Sequence, residues 1–206
     1  MFTYHAKTYN LGFCSDAHCR VELLDQITAL HPEIEKWFFI GDLVDFEHPW
    51  CNRNPDVEKW FPLNKDKFVF IKGNHDHVVA KSYIKVEHAF AWELARFHKT
   101  VKIVLPDKTE ILLCHSKPND FWEFIDIGVY TEREFIDDFC GHYDEDLTIS
   151  VILGHNHKQF ALNFPNVSPC IWSIGAVKDG YYATLREDRK IQFNKLPNDH
   201  HRPRNS

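Results

Sequence analysis

The sequence contains no apolar run approaching the about 20 residues needed to span a bilayer, so membrane insertion is not expected. It also lacks a C-x-x-C pair or a tight cysteine framework: Cys14, Cys19, Cys51, Cys114, Cys140 and Cys170 are scattered along the chain. That spacing excludes a disulfide-stapled scaffold and reads as reduced, mostly buried thiols. The opening MFTYHAKTYN has no apolar signal-peptide core, and the expected location is cytoplasmic. A basic excess is missing too, since 24 Lys and Arg stand against 30 Asp and Glu, a formal net charge of -6. Such a chain has no general field for a polyanion such as duplex DNA, so a nucleic-acid partner is disfavoured. No internal repeat, low-complexity tract or Gly/Ser linker interrupts the 206 residues. Length then favours one domain over 1–197, with 198–206 as a frayed tail.

What the chain does have is core material: 44% of it is hydrophobic and 15% aromatic, with 17 Phe and 6 Trp. TYNLGFC (8–14) reads as a strand ending at Ser15-Asp16, followed by a helix over 19–30 whose Val21, Leu24, Ile27 and Leu30 recur at helical spacing. KWFFIG (36–41) stops at Asp42, and KFVFIKG (67–73) stops at Asn74-His75-Asp76. From 77 to 98, Val79, Tyr83, Val86, Phe90, Leu94 and Phe97 predict one long amphipathic helix. Residues 102–116 predict a hairpin turning at Pro106-Asp107 and ending at His115, and 131–140 a helix capped by Thr131 with Glu134 in the capping-box position. A strand over 148–157 runs into a Gly-His turn, and short strands near 170–174, 180–185 and 190–195 follow. The stretch from Phe46 to Asp66, with three prolines and both Trp50 and Trp60, reads as irregular: a packed surface loop in preference to a substrate groove. Strands alternate with helices early and dominate late, so the class is α/β with a mixed sheet or two stacked sheets.

Five strand ends carry ligand-type residues: Asp16 and His18; Asp42 and Asp45; Asn74, His75 and Asp76; His115; His155 and His157. Ligands in α/β folds gather outside the carboxyl ends of strands, so one sheet edge can collect all five groups. Carboxylates, imidazoles and an amide oxygen without thiolates suit Mn, Fe, Zn or Co in a five- or six-coordinate site. Each block alone is commonplace, and their order carries the weight: SDAH, GDLVD, GNHD, an isolated His after an apolar strand, then GHNH.

In order and type these blocks, spanning residues 16 to 157, resemble the signature of the calcineurin-like metallophosphoesterases, in particular the small cap-less phosphodiesterases. The resemblance implies a β-sandwich of two mixed sheets flanked by helices. It implies two divalent ions, Mn foremost with Fe, Zn, Co or Ni as alternatives. Asp16, His18 and His157 correspond to ligands of the first ion, and Asn74, His115 and His155 to ligands of the second. Asp42 corresponds to the carboxylate that bridges both, which its two oxygens and negative charge allow.

Such a pair of cations orients the phosphate, neutralises its growing charge and turns a bridging water into the attacking hydroxide. The expected reaction is hydrolysis of a phosphodiester or phosphomonoester of a small molecule or nucleotide, without a covalent enzyme intermediate. His75, adjacent to Asn74, is the candidate for stabilising the transition state or protonating the leaving oxygen, oriented by Asp76 or Asp45. For Asp45, fixing its own loop is an equal alternative. The other nine histidines read as exposed or satisfied side chains, and Lys117, Asn119 and Arg53 as solvated groups in preference to phosphate contacts.

Three departures bear on substrate. Relatives that act on phosphoproteins or diadenosine tetraphosphate have an Arg soon after the second Asp of the GD block, where this chain reads Asp45-Phe46-Glu47-His48. Many small phosphodiesterase relatives have Cys in place of His75, so keeping His75 leaves monoester hydrolysis open. Ser116 stands where the family has Gly. Two further readings remain at this level: a non-catalytic scaffold of the same fold that binds proteins, as in the small retromer subunit, and a metal-dependent nuclease, for which Trp50, Trp60 and Trp122 are the only aromatic hints.

Overall fold

The computed structural model describes residues 1–46, 54–83, 89–117, 123, 125, 131–135, 137–138, 150–163 and 170–197. Expectations for Arg53, Asn119, Trp50, Trp122, Cys51, Cys140, His88, His200, His201 and the tail 198–206 fall outside these residues. The chain order is β1 (Phe2–His5), β2 (Leu11–Cys14), α1 (Val21–Leu30), β3 (Lys36–Ile40), α2 (Asn54–Asn64), β4 (Phe68–Ile71), α3 (Asn74–Tyr83) and α4 (Ala89–Ala95). Then come β5 (Thr100–Val104), β6 (Glu110–Cys114), α5 (Glu132–Phe135), β7 (Ser150–Leu153), β8 (Gln159–Asn163), β9 (Cys170–Ile174), a 3-10 turn (Val177–Asp179), β10 (Tyr181–Leu185) and β11 (Ile191–Lys195).

The strands form two mixed sheets, ordered β1-β5-β6-β7-β9-β8 and β11-β10-β2-β3-β4. In the second, β2, β3 and β4 are parallel neighbours, while β10 runs antiparallel to β2. In the first, β6, β7 and β9 are parallel. The two-residue side-chain period of a strand decides which layer each residue joins. Leu11, Phe13, Phe38 and Ile40 point between the sheets and meet Ile103, Ile111, Leu113 and Ile152 from the other side. Their chain neighbours Cys14, Trp37 and Phe39 point outward, into a second core with Leu24 and Ile27 of α1, Val57, Trp60 and Phe61 of α2, and Val79, Phe90 and Leu94 of α3 and α4. Leu112 and Cys114 lie in a third cluster on the outer face of the six-stranded sheet. Two mixed sheets flanked by helices is therefore the architecture, as the resemblance implied.

Two expectations about elements are corrected. The stretch read as irregular contains α2, which buries Val57, Trp60 and Phe61. Pro55 stands in the first turn, where a missing N–H costs nothing, and Pro62 lies in the last turn. The single helix predicted over 77–98 is two helices packed on each other. The first begins at Asn74, so the GNHD block forms its opening turn, and the apolar spacing persists because both helices face one core. The predicted hairpin is β5–β6, paired from Thr100 opposite Cys114 to Val104 opposite Glu110. At α5 the capping box forms as expected, with Glu134 N–H donating to Thr131 Oγ1 (3.2 Å) and Thr131 N–H to Glu134 Oε2 (2.6 Å).

Candidate metal centre

All five ligand-bearing blocks sit just past the C-terminal ends of β2, β3, β4, β6 and β7, and both sheets contribute. The backbone there is unusual. Among the described residues eight non-glycines have positive φ, and six of them are Asp16, His18, Cys19, Asp42, His155 and His157, between 44° and 67°. The left-handed conformation costs an ordinary L-residue about 1 to 2 kcal/mol. Strain concentrated in this way marks a place where geometry is held for function. Gly41 (φ 85°) leads into Asp42, and a Cβ there would lie 2.3 Å from the His115 ring. At Gly73 a Cβ would stand 2.1 Å from Asp42 Oδ1.

Among the described residues, three groups of side chains bring ligand atoms within 4.8 Å of one another: Asp16, His18 and His157; Asp42, His115 and His155; His18, Asp45 and His75. In the first, His157 Nε2 lies 3.2 Å from Asp16 Oδ1 and 3.3 Å from His18 Nε2. Asp16 Oδ1 is buried without a hydrogen bond of acceptable geometry, while Oδ2 accepts the His155 N–H at 2.9 Å. In the second, His115 Nδ1 donates to the Ile40 carbonyl (2.7 Å), which directs Nε2 at Asn74 Oδ1 (3.0 Å) and Asp42 Oδ2 (3.2 Å). A ring nitrogen fixed by a carbonyl while the other faces an acceptor pair is the usual preparation of a metal-ligating histidine. Separations near 3.0 to 3.3 Å also match the edges of a coordination sphere with bonds of about 2.0 to 2.2 Å. The residues present thus fit divalent cations: two imidazole nitrogens converge with a buried carboxylate oxygen that accepts no hydrogen bond among the described residues.

Charges follow the same geometry. Burial opposes ionisation of Asp16, but the imidazoles of His157, His115 and His18 outweigh it and hold its carboxyl below the usual range. Asp42 is lowered in the same manner, burial being outweighed by His115. Burial likewise opposes charge on His115, yet Asp42 and then Asp16 raise it to about 10. His18 is lowered, chiefly by burial.

The candidates beyond the ligand set separate into different surroundings. His75 Nδ1 pairs with Asp45 Oδ1 at 3.1 Å, its Nε2 lies 3.9 Å from Asp42 Oδ2, and its ring meets the His18 ring edge-on at 4.7 Å. Asp45 thus orients His75 and also approaches His18 Nδ1 (3.6 Å). Asp76, expected as an alternative orienter, instead has its carboxylate engaged by backbone N–H groups of the 42–44 turn and Gly73. Burial and the Asp42 charge push it up to about 6 against those N–H donors. Phe46 packs on the His75 ring at 4.4 Å. Lys117 is tied to Glu123 (2.7 Å) and Asp138 (3.0 Å), and Ser116 is buried and donates to the Glu123 carbonyl. Trp60 lies in the core, so it lines no nucleic-acid groove. Burial raises the thiols of Cys14 and Cys114, which are unsuited as nucleophiles.

Two contributors were missed by sequence reasoning. Ser15 donates to the Ile40 carbonyl (2.6 Å) and lies against Asp16 Oδ2; it was readable only as the residue before Asp16. Lys178, in the 3-10 turn, donates its backbone N–H to the Asp16 carbonyl (3.2 Å), and its charge helps depress His18. It is some 160 positions from His18, and no sequence signal links them.

A family description, calcineurin-like phosphoesterase, matches residues 9–159. Among solved structures, a metallophosphoesterase from Sphaerobacter thermophilus aligns at a TM-score of 0.61 with 16% identity, over 93% of this chain and 89% of that one. A protein provisionally assigned as a diadenosine tetraphosphatase aligns at 0.56 with 12% identity, over 96% and 98%. At such identities the likeness is one of fold. No curated protein sequence matches the chain significantly.

Proposed function

Because the chain belongs to the calcineurin-like phosphoesterase family, we propose that it hydrolyses a phosphodiester or phosphomonoester of a small molecule or nucleotide, using two divalent cations, Mn foremost. Asp16, His18 and His157 would hold one ion and Asn74, His115 and His155 the other, with Asp42 shared between them. When bound, the cations would supply charge neutralisation at the phosphoryl group and a water acidic enough to attack near neutral pH. The observation that carries this reading is the convergence of two imidazole nitrogens on the buried, unsatisfied Asp16 Oδ1, beside a second group built on Asp42.

The chain's own side chains do the rest. His75 donates its Nε2 proton to the departing ester oxygen, and Asp45 at Nδ1 keeps the ring oriented for that transfer. Phe46 on the His75 ring presents an apolar surface where a phosphate-binding Arg would otherwise follow the GD block. That counts against a phosphoprotein and against diadenosine tetraphosphate alike, and leaves a small phosphodiester or another nucleotide as the substrate class. Residues 1–197 are proposed as the working unit, since β1 and β11 are both paired into sheets. A cytoplasmic location suits the thiols of Cys14, Cys114 and Cys170, which form no disulfide; no described helix is long and apolar enough to cross a membrane.

The test is turnover of a chromogenic phosphodiester and its matching monoester by metal-stripped protein, with Mn, Ni, Co, Zn or Mg restored singly. Turnover that appears only with a cation is expected. Silence with every cation, despite stoichiometric uptake, would remove the hydrolase reading in favour of a binding scaffold.

A further inference from the structure

We infer that Asp76 is the positioning residue of the centre: its carboxylate clasps the turn that carries Asp42 and holds that turn in its strained form before any cation arrives. Asp76 is fully buried, in the first turn of α3. Its Oδ2 accepts N–H bonds from Asp42 (2.9 Å) and Gly73 (3.0 Å), and its Oδ1 accepts from Leu43 (3.0 Å) and Val44 (3.2 Å). A carboxylate offers about four acceptor positions, and here backbone donors fill them all. No capacity is left for a cation or for His75, whose Nδ1 already has Asp45.

The clasp is reciprocal. Asp42 Oδ1 accepts the His75 N–H at 2.9 Å, so each aspartate binds the backbone beside the other. Opening the turn would release Asp42 from φ 60°, a conformation it does not favour alone. It would also strand a buried carboxylate, so turn and α3 are locked together. Two neighbouring negative charges are tolerable because four N–H dipoles surround one of them. For catalysis, the Asp42 oxygens are then fixed in advance, and cation binding need not spend affinity on ordering them.

This inference rests on the proposed metal-dependent reading for its effect on cation binding, but the clasp itself is testable without cation or substrate. In metal-free wild-type protein the amides of Asp42, Leu43, Val44 and Gly73 should exchange with solvent as slowly as those of β3. Rapid exchange at these amides would overturn the clasp outright, whatever any variant does. In Asp76→Asn, the new NH2 group faces two N–H donors, so exchange at those amides should rise while that of β3 holds. Mn affinity should fall by about 10- to 100-fold, the range expected when a group supporting a ligand is lost. The preference of turnover for good over poor leaving groups should match wild type, because His75 and Asp45 are untouched. Leu185→Ala, in the sheet core on β10, serves as a control that lowers stability without touching the turn. Unchanged Mn affinity in folded Asp76→Asn, or an equal affinity loss in Leu185→Ala, would reduce Asp76 to a merely structural residue and overturn the proposal. If wild-type protein takes up no Mn and turns over no ester while the four amides stay protected, the hydrolase reading fails and the clasp stands.

Discussion

Asp42 is buried, faces His115 Nε2 with one oxygen and the His75 N–H with the other, and stands one residue past a glycine at which a Cβ would run into the His115 ring. Asp42→Asn keeps the shape and removes the charge. It should weaken uptake of both cations and lower turnover by about 10²- to 10³-fold or more, while circular dichroism shows an intact fold. Wild-type activity in that variant would end the shared-ligand assignment. His75→Ala should retain both cations and lose about 10²-fold or more on esters with poor leaving groups, with a smaller loss on good ones. Equal losses on both would argue against proton donation. His115 supplies a pH test. Its folded-state value, about 10, lies above the ordinary 6.5. In the metal-free protein this pairing with Asp42 stabilises the fold below about pH 6.5 and is lost as pH climbs through about 10. Cation uptake near pH 7 must therefore displace the His115 proton. Calorimetric titration in two buffers of different ionisation enthalpy should show proton release; identical heats would contradict it.

Among the elements, the turns after β3 and β4 are the most tightly constrained, because Gly73 leaves room for Asp42 Oδ1 and nothing larger. Gly73→Ala should displace the Asp42 carboxylate and lower cation affinity by about 10-fold or more in a protein that still folds, measurable by Mn titration. Unaltered affinity would mean the turn yields easily. The strands that present these turns were legible as apolar runs halted by Asp or Asn, and so was the capping box at Thr131. Other elements were hidden for physical reasons. At α2, prolines were read as breakers although Pro55 sits where a helix tolerates it, and Val57, Trp60 and Phe61 carried the helical spacing. Trp60→Ala should cost about 3 to 5 kcal/mol in denaturant unfolding, since the ring is buried against Phe68 and its Nε1 donates to Asp25 (2.8 Å). The edge strands β1, largely exposed, and β8, only partly buried, are short, so no alternating pattern announced them. Which carboxylate orients His75 was equally hidden: Asp45 and Asp76 flank the same ligands in sequence, and only the packing of α3 against the 42–44 turn separates them.

For the molecule as a whole, two sheets share one apolar core and aim the C-terminal ends of parallel strands at a common edge, so residues from 16 to 157 meet there. The strain at Asp16, His18, Asp42, His155 and His157 is sustained by that core and by backbone bonds such as Asp16 N–H to the Gly41 carbonyl (2.9 Å) and His18 N–H to the Asp42 carbonyl (3.0 Å). Metal-free protein should accordingly keep both its fold and the arrangement of these turns. The most direct test of the central claim is metal content measured beside turnover, in wild type and Asp42→Asn, during stepwise reloading of stripped protein with Mn. Two ions per wild-type chain, with hydrolysis rising as the second is taken up and both failing in Asp42→Asn, is the predicted result. Hydrolysis that persists in fully stripped protein would contradict it.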